Sequence, residues 1–101
     1  MDRLIEMVWP SMARRVQRIE ARLLALNESI TRYPETSAAY VLRGEIYLDA
    51  QFYDLATEDF TRAMALAEAQ YKTSDWGVVA QAMRDRARVG LQKAQAHRTK
   101  R

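Results

Sequence analysis

Side chains able to do acid-base, nucleophilic or metal chemistry are sparse in this chain of 101 residues, and their spacing does not serve it. The single histidine, His97, stands in a basic terminal stretch, there is no cysteine, and no serine sits in a nucleophile elbow or beside a base. Glu58 and Asp59 are adjacent carboxylates. Neighbours on a helix point about 100° apart, and no histidine or dense acidic loop accompanies this pair, so neither a general acid-base couple nor a metal site follows. No glycine-rich phosphate loop is present. The expectation is a protein that is not an enzyme, with no catalytic, cofactor-binding or metal-binding residues.

Charge is the stronger signal. The net charge is +3, but residues 35–75 hold 8 acids against 3 bases, whereas 76–101 hold 7 bases against 1 acid. Such polarity can orient copies of the chain head to tail, steer a charged partner, or simply solvate two faces. Arg84, Arg86, Arg88, Lys93, Arg98, Lys100 and Arg101 offer guanidinium and ammonium groups to phosphates. No aromatic residue interleaves with them and no nucleic-acid motif is present, which argues against nucleic acid as the main partner. An accessory nucleic-acid or anionic-partner binder remains the alternative reading.

The elements that position these groups are helices. Apolar residues make up 49% of the chain, with only 3 Gly and 2 Pro, a balance that suits one helical domain rather than disorder or an all-β fold. No apolar run reaches the roughly 20 residues of a membrane span, and MDRLIEMVWP lacks the basic start and apolar core of a secretory signal. With no cysteine, the expected setting is the reducing cytoplasm, with no membrane contact.

Asp2 can cap a first segment that carries Ile5, Trp9, Met12, Val16, Ile19, Leu23, Leu26, Ile30 and Tyr33 at alternating spacings of four and three. That period is the seam of a helix packed along another over several turns. Pro10 interrupts it: either a short helix ends near Trp9 or one helix kinks there, and because proline suits a first helical position the expectation is a restart, with the main helix running from about Pro10 to Arg32. Tyr33-Pro34-Glu35 breaks the chain, and Thr36 or Ser37 can cap the next helix. Beyond it, Tyr40, Gly44 and Tyr47 share one helix face, and Tyr53, Ala56, Phe60 and Ala63 share a face of the next. Gly44 and Ala56 lack bulk, so the two axes can approach while the aromatics fill the flanks. No breaker follows until Lys72-Thr73, so the second helix should persist to that point. Ser74 or Asp75 then caps a final helix from about Trp76 to Ala96, with Trp76, Val79, Met83, Ala87, Leu91 and Ala94 on one face.

Residues 37–70 resemble one tetratricopeptide repeat, a helical pair of about 34 residues. The likeness rests on Tyr40, Arg43-Gly44, Tyr47, Tyr53, Ala56, Phe60 and Ala63 at the family's spacing. Gln51-Phe52 stands in the turn where the family prefers Gly and a polar residue, and Glu68 where a closing Pro is common. Pro34 falls where a preceding repeat would close, and Trp76 follows Tyr40 at nearly one repeat length, so the flanking segments resemble degenerate half-repeats. The resemblance implies an all-α fold of about four helices, a domain over 1–97 with a basic tail 98–101. It also implies an inter-helix ion pair between Arg43 and Asp59.

For function the resemblance implies a non-catalytic protein interaction module. Peptides enter such proteins on the concave side of the first helix of the pair, here Ala38, Val41, Glu45, Leu48 and Asp49. Val41 and Glu45 stand where carboxylate-clamping members carry basic or amide residues, so the surface suits an apolar or basic helix, foreign or from this same chain. One good repeat is too few to bury a continuous core. The seam of Met12, Val16, Ile19, Leu23, Leu26 and Ile30 covers the repeat within one chain, or a homodimer forms through that seam or through the concave face; a mixed route buries part of the seam within the chain and leaves an outward stripe.

Overall fold

A computed structural model describes the backbone of residues 2–73 and 77–99 and the side chains of 6–72 and 77–98. Four helices account for nearly all of it: α1 (Asp2–Arg32), α2 (Ser37–Asp49), α3 (Tyr53–Thr73) and α4 (Gly77–Thr99), with no strand among the described residues. This is the all-α, four-helix architecture expected, a short hairpin of α2 and α3 between two long flanking helices. Ser74, Asp75 and Trp76, expected to cap and open the last helix, lie outside the described residues, as do the side chains of Asp2 and Ile5.

Two boundaries differ from expectation. The first helix does not restart at Pro10 but runs through it as one element of 31 residues. Proline removes one backbone hydrogen bond, and here it does so where residues 6–10 are all exposed, so water can take the freed carbonyl. At the other end α4 continues to Thr99, past the expected stop at Ala96. Arg98 is held there by Asp54 across 2.9 Å.

The turn from α2 to α3 shows how a short chain reverses without glycine. The Phe52 amide donates to the Tyr47 carbonyl at 2.8 Å and the Gln51 amide to the Leu48 carbonyl at 3.0 Å, the two bonds of a Schellman cap. Gln51 takes the left-handed position, φ 67°, where the resemblance had pointed to Gly. The rings of Phe52 and Tyr47 meet edge to face, 6.5 Å between centroids, which supplies the apolar contact that accompanies this cap. At the start of α2 the capping expectation is only half met: Thr36 occupies the N-cap position without a side-chain bond. Ser37, 2% exposed, instead donates to Gln70 Oε1 of α3 at 3.0 Å, and Gln70 Nε2 donates to the Glu35 carbonyl.

Packing centres on Phe60. Seven of the eleven buried apolar side chains are alanines, so the helices come close and little apolar volume fills the space between them. Phe60, fully buried, is the large exception. Its ring lies between two glycines: a Cβ on Gly44 of α2 would sit 2.9 Å from Cε1, and one on Gly90 of α4 would sit 2.6 Å from both Cε1 and Cε2. The buried stripe of α4 is therefore Ala80, Ala87, Gly90 and Ala94, with Met83 and Leu91 half-buried beside it. Val79, expected on that stripe, is 49% exposed.

Helix α4 lies against both α3 and α2, whereas among the described residues α1 touches α2 alone. Helix α2 spans about 20 Å and α1 about 46 Å at the usual rise. The longer helix consequently outruns its support, and the molecule measures 57 × 33 × 19 Å.

Gly90→Ala should gain helix propensity of about 1 kcal/mol but lose more through forced movement of a ring that has no free side, for a net loss of about 1–2 kcal/mol. Gly44→Ala should cost less, and adding Phe60→Leu to Gly90→Ala should recover part of the loss. Urea unfolding midpoints check the order; a Gly90→Ala variant more stable than wild type would refute the wedge.

Candidate interaction surfaces

Arg43 joins three helices. Its Nε and Nη2 donate to Asp59 Oδ2 and Oδ1 of α3 at 2.8 and 2.7 Å, and its Nη1 donates to Asn27 Oδ1 of α1 at 2.9 Å. The guanidinium also lies 5.7 Å from the centroid of Tyr40 and 5.8 Å from that of Tyr47. The bond to Asp59 raises the already high pKa of Arg43, against the opposite pull of burial. Asp59 is 4% exposed, so this carboxylate depends on its fork for compensation. The pairing that the resemblance implied is present, with Asn27 as an addition that it did not indicate.

The five residues expected to receive a peptide fall in two environments. Val41 is fully buried in the core cluster, with Leu48 partly buried against it. Ala38 borders a small cleft with Val79, Ala80 and Met83 of α4. Glu45 accepts a bidentate pair from Arg86 of α4, at 2.8 and 2.7 Å, which raises the arginine's pKa. Ala38 and Glu45 thus face the chain's own C-terminal helix, and Val41 and Leu48 pack in a cluster to which that helix adds Ala87 and Ala94. Val41 offers nothing to a foreign ligand, because α4 already lies where one would enter. Asp49 is exposed on the other flank of α2, beside α1.

The same helix accounts for the charge polarity. Arg84 reaches Glu68 at 3.3 Å, Arg86 holds Glu45, Arg98 holds Asp54, and Arg88 pairs with Asp85 of its own helix. The basic end of the chain closes over its acidic middle. His97 completes that closure by stacking on Tyr53, with centroids 4.8 Å apart and planes 2° from parallel. Opposite charges in successive segments were the available sign of this closure; spacing alone did not say that the partner was internal.

The six seam residues of α1 also divide. Ile19, Leu23, Leu26 and Ile30 are half-buried, whereas Met12 is 53% and Val16 51% exposed. Trp9 at 64% and Val8 at 46% continue the same stripe towards the N-terminus. Between α1 and the end of α2 is a groove of about 330 Å³ whose rim includes Arg15, Arg18 and Arg22. Their spacing of three and four places them on one flank of α1, a pattern visible in the sequence but overshadowed there by the basic C-terminus.

Among the described residues no group of three or more His, Asp or Glu side chains could hold a metal ion, and no helix is long and apolar enough to cross a membrane. Comparison of the chain with protein-family models, with curated proteins and with solved structures gave no match.

Two bidentate pairs in different surroundings should separate cleanly by mutation. Arg43→Ala strands a buried carboxylate and should cost about 2–3 kcal/mol, lowering the melting temperature. Arg86→Ala breaks a pair that is half in water and should cost under about 1 kcal/mol. Thermal and urea unfolding check both; equal losses would show that burial does not set the difference.

Proposed function

We propose that this chain is a non-catalytic protein interaction module, built on a tetratricopeptide-like hairpin, that associates with a second copy of itself through α1. The hairpin reading is supported by the close approach of Gly44 to Phe60 and by the Arg43–Asp59 fork. The position of α4 against both α2 and α3, as the first helix of a following repeat would lie, supports it too.

The observation that carries self-association is the apolar stripe of α1. It packs on α2 from Ile19 to Ile30 and continues, bare, through Val16, Met12, Trp9 and Val8. An isolated exposed apolar residue means little, but a run of four on one helix face, in line with a buried seam, is what a helix partner covers. The alternative, an anionic partner gripped by the C-terminal helix, has less support: Arg84, Arg86, Arg88 and Arg98 are each engaged with a carboxylate of the same chain. We place this activity in the cytoplasm, a reading supported by the cysteine-free composition.

Light scattering behind size exclusion over a concentration series tests the reading. The wild-type mass should climb from 11.7 kDa towards twice that value, and Trp9→Ser with Met12→Glu should hold it at one chain without loss of helix content. A wild-type chain that stays monomeric at every concentration would remove self-association from the account.

A further inference from the structure

Arginine behaves in two ways in this molecule. On α4 the described arginines are engaged, by Glu45, Asp54, Glu68 and Asp85. On α1, Arg15, Arg18 and Arg22 are exposed and form no ion pair with any described residue, although they stand together on the rim of the groove between α1 and the end of α2. Among the described residues they make no hydrogen bond to the end of α2, where the carbonyls of Ile46, Tyr47 and Leu48 accept from the amides of Ala50, Phe52 and Gln51. The apolar part of the lining comes from Ile19 and Ile46, with Ala50 exposed at its edge. One carboxylate, Asp49, stands at the rim, so the groove keeps an excess of two positive charges.

We propose that this groove docks an acidic, amphipathic helical segment of a partner protein. The three guanidiniums span two turns, about 10 Å, which matches carboxylates three, four and seven residues apart on a facing helix. Each guanidinium presents a planar fork suited to a carboxylate, as Arg86 already does for Glu45. Between the carboxylates, an apolar side chain of the partner reaches the Ile19–Ile46 floor. A phosphate backbone would use the rim and leave that floor unfilled, and a flat lipid surface cannot enter a recess between two helices. The inference extends the reading of the chain as an interaction module. It concerns the basic flank of α1, not the bare stripe of Trp9 and Met12, so the two can be tested apart.

The test uses the full chain and a fluorescent synthetic helix with leucine along one stripe and glutamate flanking it, next to a twin in which lysine replaces every glutamate. Fluorescence anisotropy should show binding of the glutamate helix, weakening as salt is raised, and no binding of the twin. Arg15→Ala with Arg18→Ala should weaken the glutamate helix at least tenfold, with unchanged circular dichroism. The monomeric Trp9→Ser, Met12→Glu variant should bind it within about twofold of wild type, which separates the groove from self-association. Failure of the glutamate helix to bind, equal binding of both helices, or indifference to the arginine substitutions would overturn the proposal. Tighter binding of phosphatidylserine vesicles or duplex DNA, lost in the same arginine variant, would also overturn it and reassign the groove to phosphate.

Discussion

Everything else in this fold depends on the ring of Phe60 fitting between Gly44 and Gly90. A core made mostly of alanine gives little burial energy per residue, so it contributes chiefly by letting helices approach until backbones are nearly in contact. The ring occupies the place where α2, α3 and α4 converge, and both glycines are needed because a side chain on either would enter it. Close approach in turn brings the long polar side chains at the helix flanks within bonding distance. Arg43 reaches Asp59 and Asn27, and Arg86 reaches Glu45, because the helices beneath them are so near. The electrostatic pattern is a consequence of the packing.

That order explains why the most conspicuous charge in the chain is not its most available. The acidic middle and basic end neutralise each other across the α2–α4 and α3–α4 contacts, mostly as exposed pairs that each add little stability but together leave these faces without a strong field. Arg43–Asp59 differs in being shielded, and there the pairing governs whether a buried carboxylate is tolerated at all. On α1 both kinds of surface stand together: an apolar stripe beyond the reach of α2 and a row of arginines beside it. A helix of 31 residues laid against one of 13 cannot be covered along its length.

The hairpin was legible because its information is local. Tyr40, Gly44, Tyr47, Ala56, Phe60 and Ala63 recur at helical spacing, and the resemblance they carry implied the Arg43–Asp59 pair. Boundaries that depend on surroundings were less legible. Pro10 reads as a helix start in isolation, yet solvent on every side lets the helix pass through it. Gly90 gave no sign of its role, since nothing near it in sequence indicates that Phe60 will arrive there. Ala38, Val41, Glu45 and Leu48 were expected to receive an apolar or basic helix; the contacts of Glu45 with Arg86 and of Ala38 with the cleft beside α4 are matters of long-range topology. On α1 the seam was correctly periodic, but periodicity cannot tell how far a partner helix extends.

Self-association through the bare stripe of α1 is the central proposal. Hydrogen exchange measured at increasing protein concentration addresses that most directly, because it reports each helix separately. Amides of residues 8–16 should exchange rapidly in dilute solution and become protected as concentration rises, while those of α3 around Phe60 remain unchanged. Protection that rises equally in all four helices, or an α1 segment whose exchange does not respond to concentration, would contradict it.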